Sequence, residues 1–310
     1  MRSISKIFVL ACLSVGSSAM AADLGLATKF NAFIFGNATT TGGHSSGSIG
    51  VGGNWSMGYE AKQVSFPSVP YPDLPGASQA GIYVGGNITV NGVARVIQGN
   101  AYVGGSVSGS MDVQNGFALH TGGSFVDPTI FTTQKSYSLA QSAAINARTG
   151  VTLTVPDPNV LNIDLNANNL NGDQKVYFVD ASKLGTNTAV NITGGNANST
   201  VLVNVLGASA NWNWQVNTSL TNRLLWNFVN ATSININRQF DGSLLAPNAT
   251  VNQLSGNIQG TLIANGWTNS NSQELHSFIF QGNAPTPAPE PATIGAIGVG
   301  LVALLRRRKK

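Results

Sequence analysis

The chain has 310 residues, of which 42% are hydrophobic and only 9% charged, against about 25% charged in an average soluble domain. That hydrophobic content, arranged in regular strand-like runs, excludes disorder for most of the length. The formal net charge of +4 belongs to the termini: residues 22 to 291 hold nine Lys or Arg and twelve Asp or Glu, a net of −3, so the body lacks the basic stripe that nucleic acid requires.

Residues 1–21 read as a secretory signal peptide, the substrate of signal peptidase. Arg2 and Lys6 form the charged start, Ile7 to Val15 the apolar run, and Ala19-Met20-Ala21 the cleavage site. The one cysteine, Cys12, lies in this leader, so the body has neither disulfide nor thiol chemistry.

Residues 24–128 carry a repeat. Phe30, Phe33 and Phe35 open it with bulk, and short apolar runs then end in Gly-Gly pairs at Gly85-Gly86, Gly104-Gly105 and Gly122-Gly123, steps of 19 and 18 residues. An earlier pair, Gly52-Gly53, precedes Gly85 by 33 residues and reads as close to two steps. Such a period with strand-like runs predicts an all-β chain coiled into a β-solenoid, with right-handed coiling expected for parallel crossovers. The Pro-rich piece 66–77 cannot be a central strand and reads as a loop thrown out from the coil.

Residues 130–148 break the pattern. Ile130, Tyr137, Ala140, Ala144 and Ala147 lie near helical spacing, which predicts one helix packed along the coil. Strand runs return at 151–155, 175–182, 188–195, 200–207 and 224–236, divided by Asn/Gly turns. Two further runs start at Gly242 and Gly260, 18 residues apart, so both halves belong to one fold, closed by residues 275–282. Ten or so rungs at ~4.8 Å each predict a rod near 50 Å long. The domain occupies residues 22–282. A Pro-rich linker follows over 283–291, then an apolar run over 292–305 and a basic end, Arg306 to Lys310. At ~1.5 Å per residue that run reaches about 21 Å, short for a bilayer core of ~30 Å, but the five terminal cations suit the cytoplasmic side of a membrane better than a buried helix.

Two resemblances follow from these segments. Pro289-Glu290-Pro291, the short apolar run and the basic end with Arg306, Arg307 and Arg308 resemble a PEP-CTERM sorting signal. That resemblance implies export in a Gram-negative bacterium that makes exopolysaccharide. It also implies recognition and removal of the tail (292–310, with a transmembrane helix) by exosortase, a membrane protease-transpeptidase. The body, through FNAFIFGN (30–37), GSIGVGGNW (47–55), LLWNFVNATSI (224–234), GSLLAPNATV (242–251) and GNIQGTLIANGW with ELHSFIFQG (256–267, 274–282), resembles the choice-of-anchor A domain. This implies an adhesive surface module of β-solenoid character and supplies no catalytic residues.

The residues themselves offer little chemistry. The body has no close cluster of carboxylates for a polysaccharide lyase. Asp164, Asn166, Asn168 and Asp173 look like a calcium loop, but Asn169 stands where Gly is needed and Lys175 where Glu is needed, so an Asn-rich turn is expected. His44, His120 and His276 are far apart and share no metal-ligand spacing, so neither metal nor other cofactor is expected. Trp212 and Trp214 alternate with Asn and lie on one strand face, as core filling or as a platform for sugar rings.

The leading expectation is an exported surface or matrix adhesin, not an enzyme, with exopolysaccharide or another surface ligand as partner. The alternatives are a passive component of the biofilm matrix, an ice-binding solenoid, and a polysaccharide-acting enzyme. The ice-binding reading needs a flat Thr ladder, and the runs GNITV, GSVSG and GSFVD do not keep Thr at one position.

Overall fold

Each turn of the chain lays down up to three short strands, and the strands of successive turns pair in parallel. The structure, a computed structural model, describes residues 24–58, 60–61, 74–92 and 94–285. The signal peptide with Ala19 and Ala21, most of the Pro-rich loop, the PEP motif, the apolar run and the basic end lie outside the described residues. Among the described residues no helix is long and apolar enough to cross a membrane.

The first turn shows the plan. Ala32–Ile34, Ala38–Thr40 and His44–Ser45 are its three strands, and Ile49–Val51, Trp55–Met57 and Glu60–Ala61 pair with them one by one. Three ladders, here called the first, second and third faces, therefore surround one interior. The 18-residue spacing is one turn, as Leu244 opposite Leu262 demonstrates. The 33-residue spacing is also one turn, because Ile49 pairs directly with Ile82. The expectation of two steps there is corrected: the extra length is the Pro-rich insertion, at whose described end Leu74 and Ala77 are bridged to each other and buried.

The turns do not stack in sequence order. Along the first face the strands run Val151–Thr152, Gln174–Asp180, Thr200–Leu206, Leu224–Phe228, Ser243–Gln253 and Leu262–Asn269. Next comes Ala32–Ile34, then Ile49–Val51, Ala80–Val84, Asn100–Val103 and Leu119–Thr121. The N-terminal turn is thus inserted against the C-terminal one. Asn31, fully buried, secures the join: its amide donates to the carbonyl of Gly260 at 2.8 Å, and its own carbonyl accepts from the Leu262 N–H at 2.8 Å.

Helix α1 (Thr129–Asn146) leads from the Leu119–Thr121 end of the rod back towards the other. At ~1.5 Å per residue it covers about 27 Å of the first face. It turns that face into a second interior. Alternate residues of each strand point inward, such as Ala32 and Ile34, while Phe33, Tyr83, Tyr102, Leu245 and Ile263 point out and pack beneath the helix. First-face strands such as Ala32–Ile34, Ala80–Val84 and Leu224–Phe228 are accordingly buried on both sides. The buried helix residues are Phe131, Gln134, Ser138, Gln141, Ser142 and Ile145, not the expected stripe of Ile130, Tyr137 and three alanines. Ser142 fits there because the strands answer it. Ser142 Oγ donates to Asn227 Oδ1 at 2.6 Å, and the Asn227 amide donates to the Ser142 carbonyl and to Asn204 Oδ1.

The Gly-Gly pairs form the corner between the first and second faces. A Cβ on Gly85 would lie 2.3 Å from the carbonyl oxygen of Gly52, so only glycine lets the turns stack at ladder spacing there. Beside the glycines, Asn37 Oδ1 accepts from the Asn54 N–H, Asn54 Oδ1 from the Asn87 N–H, and Asn87 Oδ1 from the Ser106 N–H, each at 2.8–2.9 Å. These asparagines satisfy backbone donors that the strands leave at the corner.

The run expected at 224–236 is two strands, Leu224–Phe228 and Ser233–Ile236, on different faces. Trp212 and Trp214 do point the same way, but inward. Both are fully buried. Trp212 lies with its ring centroid 4.8 Å from Trp226 and 4.3 Å from Phe240. Their indole N–H groups donate to the carbonyls of Gln239 and Lys183, both at 3.1 Å. Neither ring is open to a sugar, so of the two readings core filling holds and the platform is corrected. The inner volume at this end of the rod demands the bulk.

Two consequences are measurable by thermal or urea unfolding of the full chain. Gly85→Ala is expected to destabilise by about 2 kcal/mol or more, because backbone cannot yield to the new methyl. Gly123→Ala, at the second glycine of the pair on the terminal turn with nothing near its Cβ, is expected to change stability by less than ~0.5 kcal/mol. Trp212→Ala is expected to cost about 3–5 kcal/mol through the cavity it leaves.

Candidate functional site

With the first face under the helix, the second face is the broad surface left to solvent. Its strands alternate, one residue in and one out, as in Ala38–Thr40, where Thr39 alone is exposed. Register places the outward residues in one column. Asn211 lies opposite Asn235, Asn235 opposite Asn252, and Asn252 opposite Thr268. Across the join, Thr268 lies opposite Thr39, followed by Ser56, Thr89 and Ser108. Every one of these side chains is exposed or half-buried.

The column is wired from Asn211 to Thr268. The Asn235 amide donates to Asn211 Oδ1 at 2.8 Å, the Asn252 amide to Asn235 Oδ1 at 2.9 Å, and Thr268 Oγ1 to Asn252 Oδ1 at 2.8 Å. Each amide spends one donor on its neighbour and keeps hydrogen-bonding capacity for solvent or ligand. Seven ladder steps of ~4.8 Å give the column a length of about 34 Å. It contains no charged residue, and its groups are donors and acceptors at a fixed repeat. Sequence inspection misses it because the aligned residues alternate among Asn, Thr and Ser, and because half of them join the other half across the inverted stacking order. A second asparagine ladder, Asn217 to Asn191 to Asn162 at 2.9 Å per bond, lies on the sheet formed by Val160–Asp164, Ala189–Thr193 and Gln215–Asn217.

The third face holds most of the ionisable groups that the fold gathers. Burial raises the Asp241 carboxyl above its ordinary range, partly offset by the Gln239 amide. His44 and His276, expected to be unrelated, stand on either side of Glu274. His44 Nδ1 is 3.2 Å from Glu274 Oε1, and His276 Nε2 is 2.8 Å from Glu274 Oε2. His120 is elsewhere, stacked on Tyr102 with centroids 4.8 Å apart.

The calcium-like loop does not converge. Asp164 Oδ1 accepts from the Asn166 N–H, Asn168 is buried with its amide on the Val176 carbonyl, and Asp173 accepts from the Asn196 amide. Lys175 Nζ donates to the Asn168 carbonyl at 2.7 Å, so a cationic side chain already occupies one of the loop's oxygens. The Asp180 carboxyl, beside a shallow cleft with Leu206 and Asn211, is held below its usual range by the Ser182 hydroxyl and N–H, so it is committed to a local turn.

Among curated proteins none matches the chain. Solved structures that resemble it include an ice-binding protein from the Antarctic ascomycete Antarctomyces psychrotrophicus, at 15% identity over 83% of this chain and 98% of that one, with a TM-score of 0.39. An ice-binding protein domain from Shewanella frigidimarina matches at 13% identity over 84% and 98%, TM-score 0.42. A glycosylated ice-binding protein from an Arctic yeast matches at 12% identity over 87% and 97%, TM-score 0.42. Residues 287–309 match the PEP-CTERM protein-sorting motif. Residues 23–277 match the family described as "Putative Ice-binding-like adhesive domain", which replaces the choice-of-anchor A domain as the family of the body. The chain belongs to this ice-binding-like adhesive domain family and carries a PEP-CTERM sorting motif after it.

Proposed function

We propose that this chain is an exported surface adhesin whose second face is the adhesive surface. The observation that carries the reading is the uncharged column from Asn211 to Ser108, a row of amides and hydroxyls at one spacing. A surface of this kind suits a partner that also repeats and is also rich in hydroxyls, such as an extended polysaccharide of the matrix. Binding is built from many weak hydrogen bonds made together, on groups already immobilised by the ladder, so little side-chain entropy is lost. No reacting group is required.

The division of the chain supports this role. We take residues 1–21 as the export signal, 22–282 as the adhesive body, 283–291 as a stiff spacer and 292–310 as the sorting tail. Exosortase acts on that tail and leaves the body at the cell surface or in the matrix.

Ice is the second reading. It rests on Thr268, Thr39 and Thr89 sharing one column with no charge among them. It asks for a ligand whose own lattice matches the ladder, whereas the mixture of Asn, Ser and Thr suits a less regular partner.

The test uses the full chain, with affinity for the producing strain's exopolysaccharide measured by sedimentation and calorimetry. The double variant Thr39→Lys/Thr89→Lys is expected to bind at least about tenfold more weakly with an unchanged melting temperature, since both side chains point to solvent. Thr133→Lys, on the outer side of the helix, is expected to bind as the parent does. Equal binding by the double variant would remove the second face from the reading. Ice-growth inhibition lost in the same variant, without polysaccharide affinity in the parent, would move the conclusion to ice.

A further inference from the structure

Glu274, Leu275 and His276 sit on the last turn of the body, and His44 on the first. Leu275 is fully buried, so its two neighbours in the strand both point outward. Leu275 pairs with Ser45, itself fully buried, which sets His44 outward beside Glu274. One donor atom from each of His44, Glu274 and His276 lies within 4.8 Å of the others. Among the described residues this is the one group of its kind. We propose that these three side chains form a binding site for a divalent transition-metal ion of the zinc class, at the join between the first and last turns.

The donor set decides the class. Two imidazoles and one carboxylate match zinc and its neighbours, whereas calcium and magnesium take oxygen ligands. Tetrahedral zinc, with bonds of ~2.0–2.2 Å, needs ligand atoms roughly 3.3–3.5 Å apart. The two imidazoles approach different oxygens of Glu274, Oε1 at 3.2 Å and Oε2 at 2.8 Å, and one ligand atom from each of the three residues lies within 4.8 Å of the others, so modest side-chain rotation gathers them round one ion. The side chains are 27–33% exposed, so an ion can enter from solvent. Three protein ligands leave a fourth position for water or for an outside donor.

The surroundings hold the group in place. Gln259 Nε2 lies 2.7 Å from His276 Nδ1. With metal on Nε2, the ring proton moves to Nδ1 and the amide turns its oxygen to accept it, the orienting contact usual for a metal-bound imidazole. The Glu274 N–H donates to Asn257 Oδ1 at 2.9 Å, its carbonyl accepts from the Gln253 amide at 3.1 Å, and the His276 carbonyl accepts from the Gly260 N–H at 3.2 Å. The backbone carrying two ligands is therefore fixed before any ion arrives. Because the third ligand comes from the far end of the sequence, an ion bound here ties the two halves of the rod, and it binds the folded chain in preference to the unfolded one.

The test takes the full chain, stripped with chelator, and titrates it with zinc chloride by calorimetry at pH 7.5, with melting curves at both ends of the titration. About one equivalent is expected to bind at micromolar concentration and to raise the melting temperature by several degrees. His44→Gln and His276→Gln keep a hydrogen-bonding amide, yet each is expected to bind at least about tenfold more weakly and to lose the shift. His120→Gln is expected to behave as the parent. Absence of saturable binding below about 1 mM, or binding that survives both substitutions together, overturns the proposal as an adventitious ion only. Should the variants fold poorly, X-ray absorption on the zinc-loaded parent decides: two imidazole ligands support the site, and none or one rejects it.

Discussion

The strand Ala32–Ile34 is hydrogen-bonded along both edges, to Leu262–Asn269 on one and to Ile49–Val51 on the other. The rest of the molecule depends on that insertion. A single turn of a solenoid cannot bury its own apolar side and relies on two neighbours. Without the insertion the chain would be two half-rods, each ending in an open edge of unpaired backbone groups, which is a template for aggregation. Asn31 is buried at the join because its amide must cover the Gly260 and His276 carbonyls. The helix belongs to the same arrangement. Its Phe131 packs with Phe33 and Tyr83 from the first half, while Ser142 bonds to Asn227 of the second. It therefore holds the halves from outside as the ladder holds them from within.

The low charge of the sequence has a structural counterpart. Backbone groups at the corners and side chains on the second face are satisfied by amides that bond to the next amide, turn after turn. A column of like charges at ladder spacing would repel itself. Asparagine repeats without that cost, because each amide offers both a donor and an acceptor. The same property keeps the second face polar and without net charge.

Much of this was readable in the sequence, and the limits have physical causes. The 18-residue period and the Gly-Gly pairs announced the turns, since stacking at a fixed spacing demands glycine at the same corner each time. The period did not reveal the order of stacking, because order is decided by pairings between residues some 230 positions apart, such as Ala32 with Leu262. Alternation placed Trp212 and Trp214 on one side of a strand but not on which side. In a strand flanked by polar residues, only the volume of the interior settles that. The helix occurs where its spacing predicts, but its buried stripe differs, because Gln134 and Ser142 are buried against Leu24 and Asn227, partners that the local sequence does not contain. His44 and His276 became neighbours for the same reason.

The inverted stacking also sets a timetable. Ala32–Ile34 emerges early from any chain made or threaded from its N-terminus, but one of its edges stays unpaired until Leu262–Asn269 has followed. The first turns can associate with each other, whereas the two halves can join only when nearly the whole body is present. Long-range pairing of this kind is slow compared with local contact. A polypeptide whose decisive pairing waits for its last turns completes its fold late, whatever its first turns have already formed.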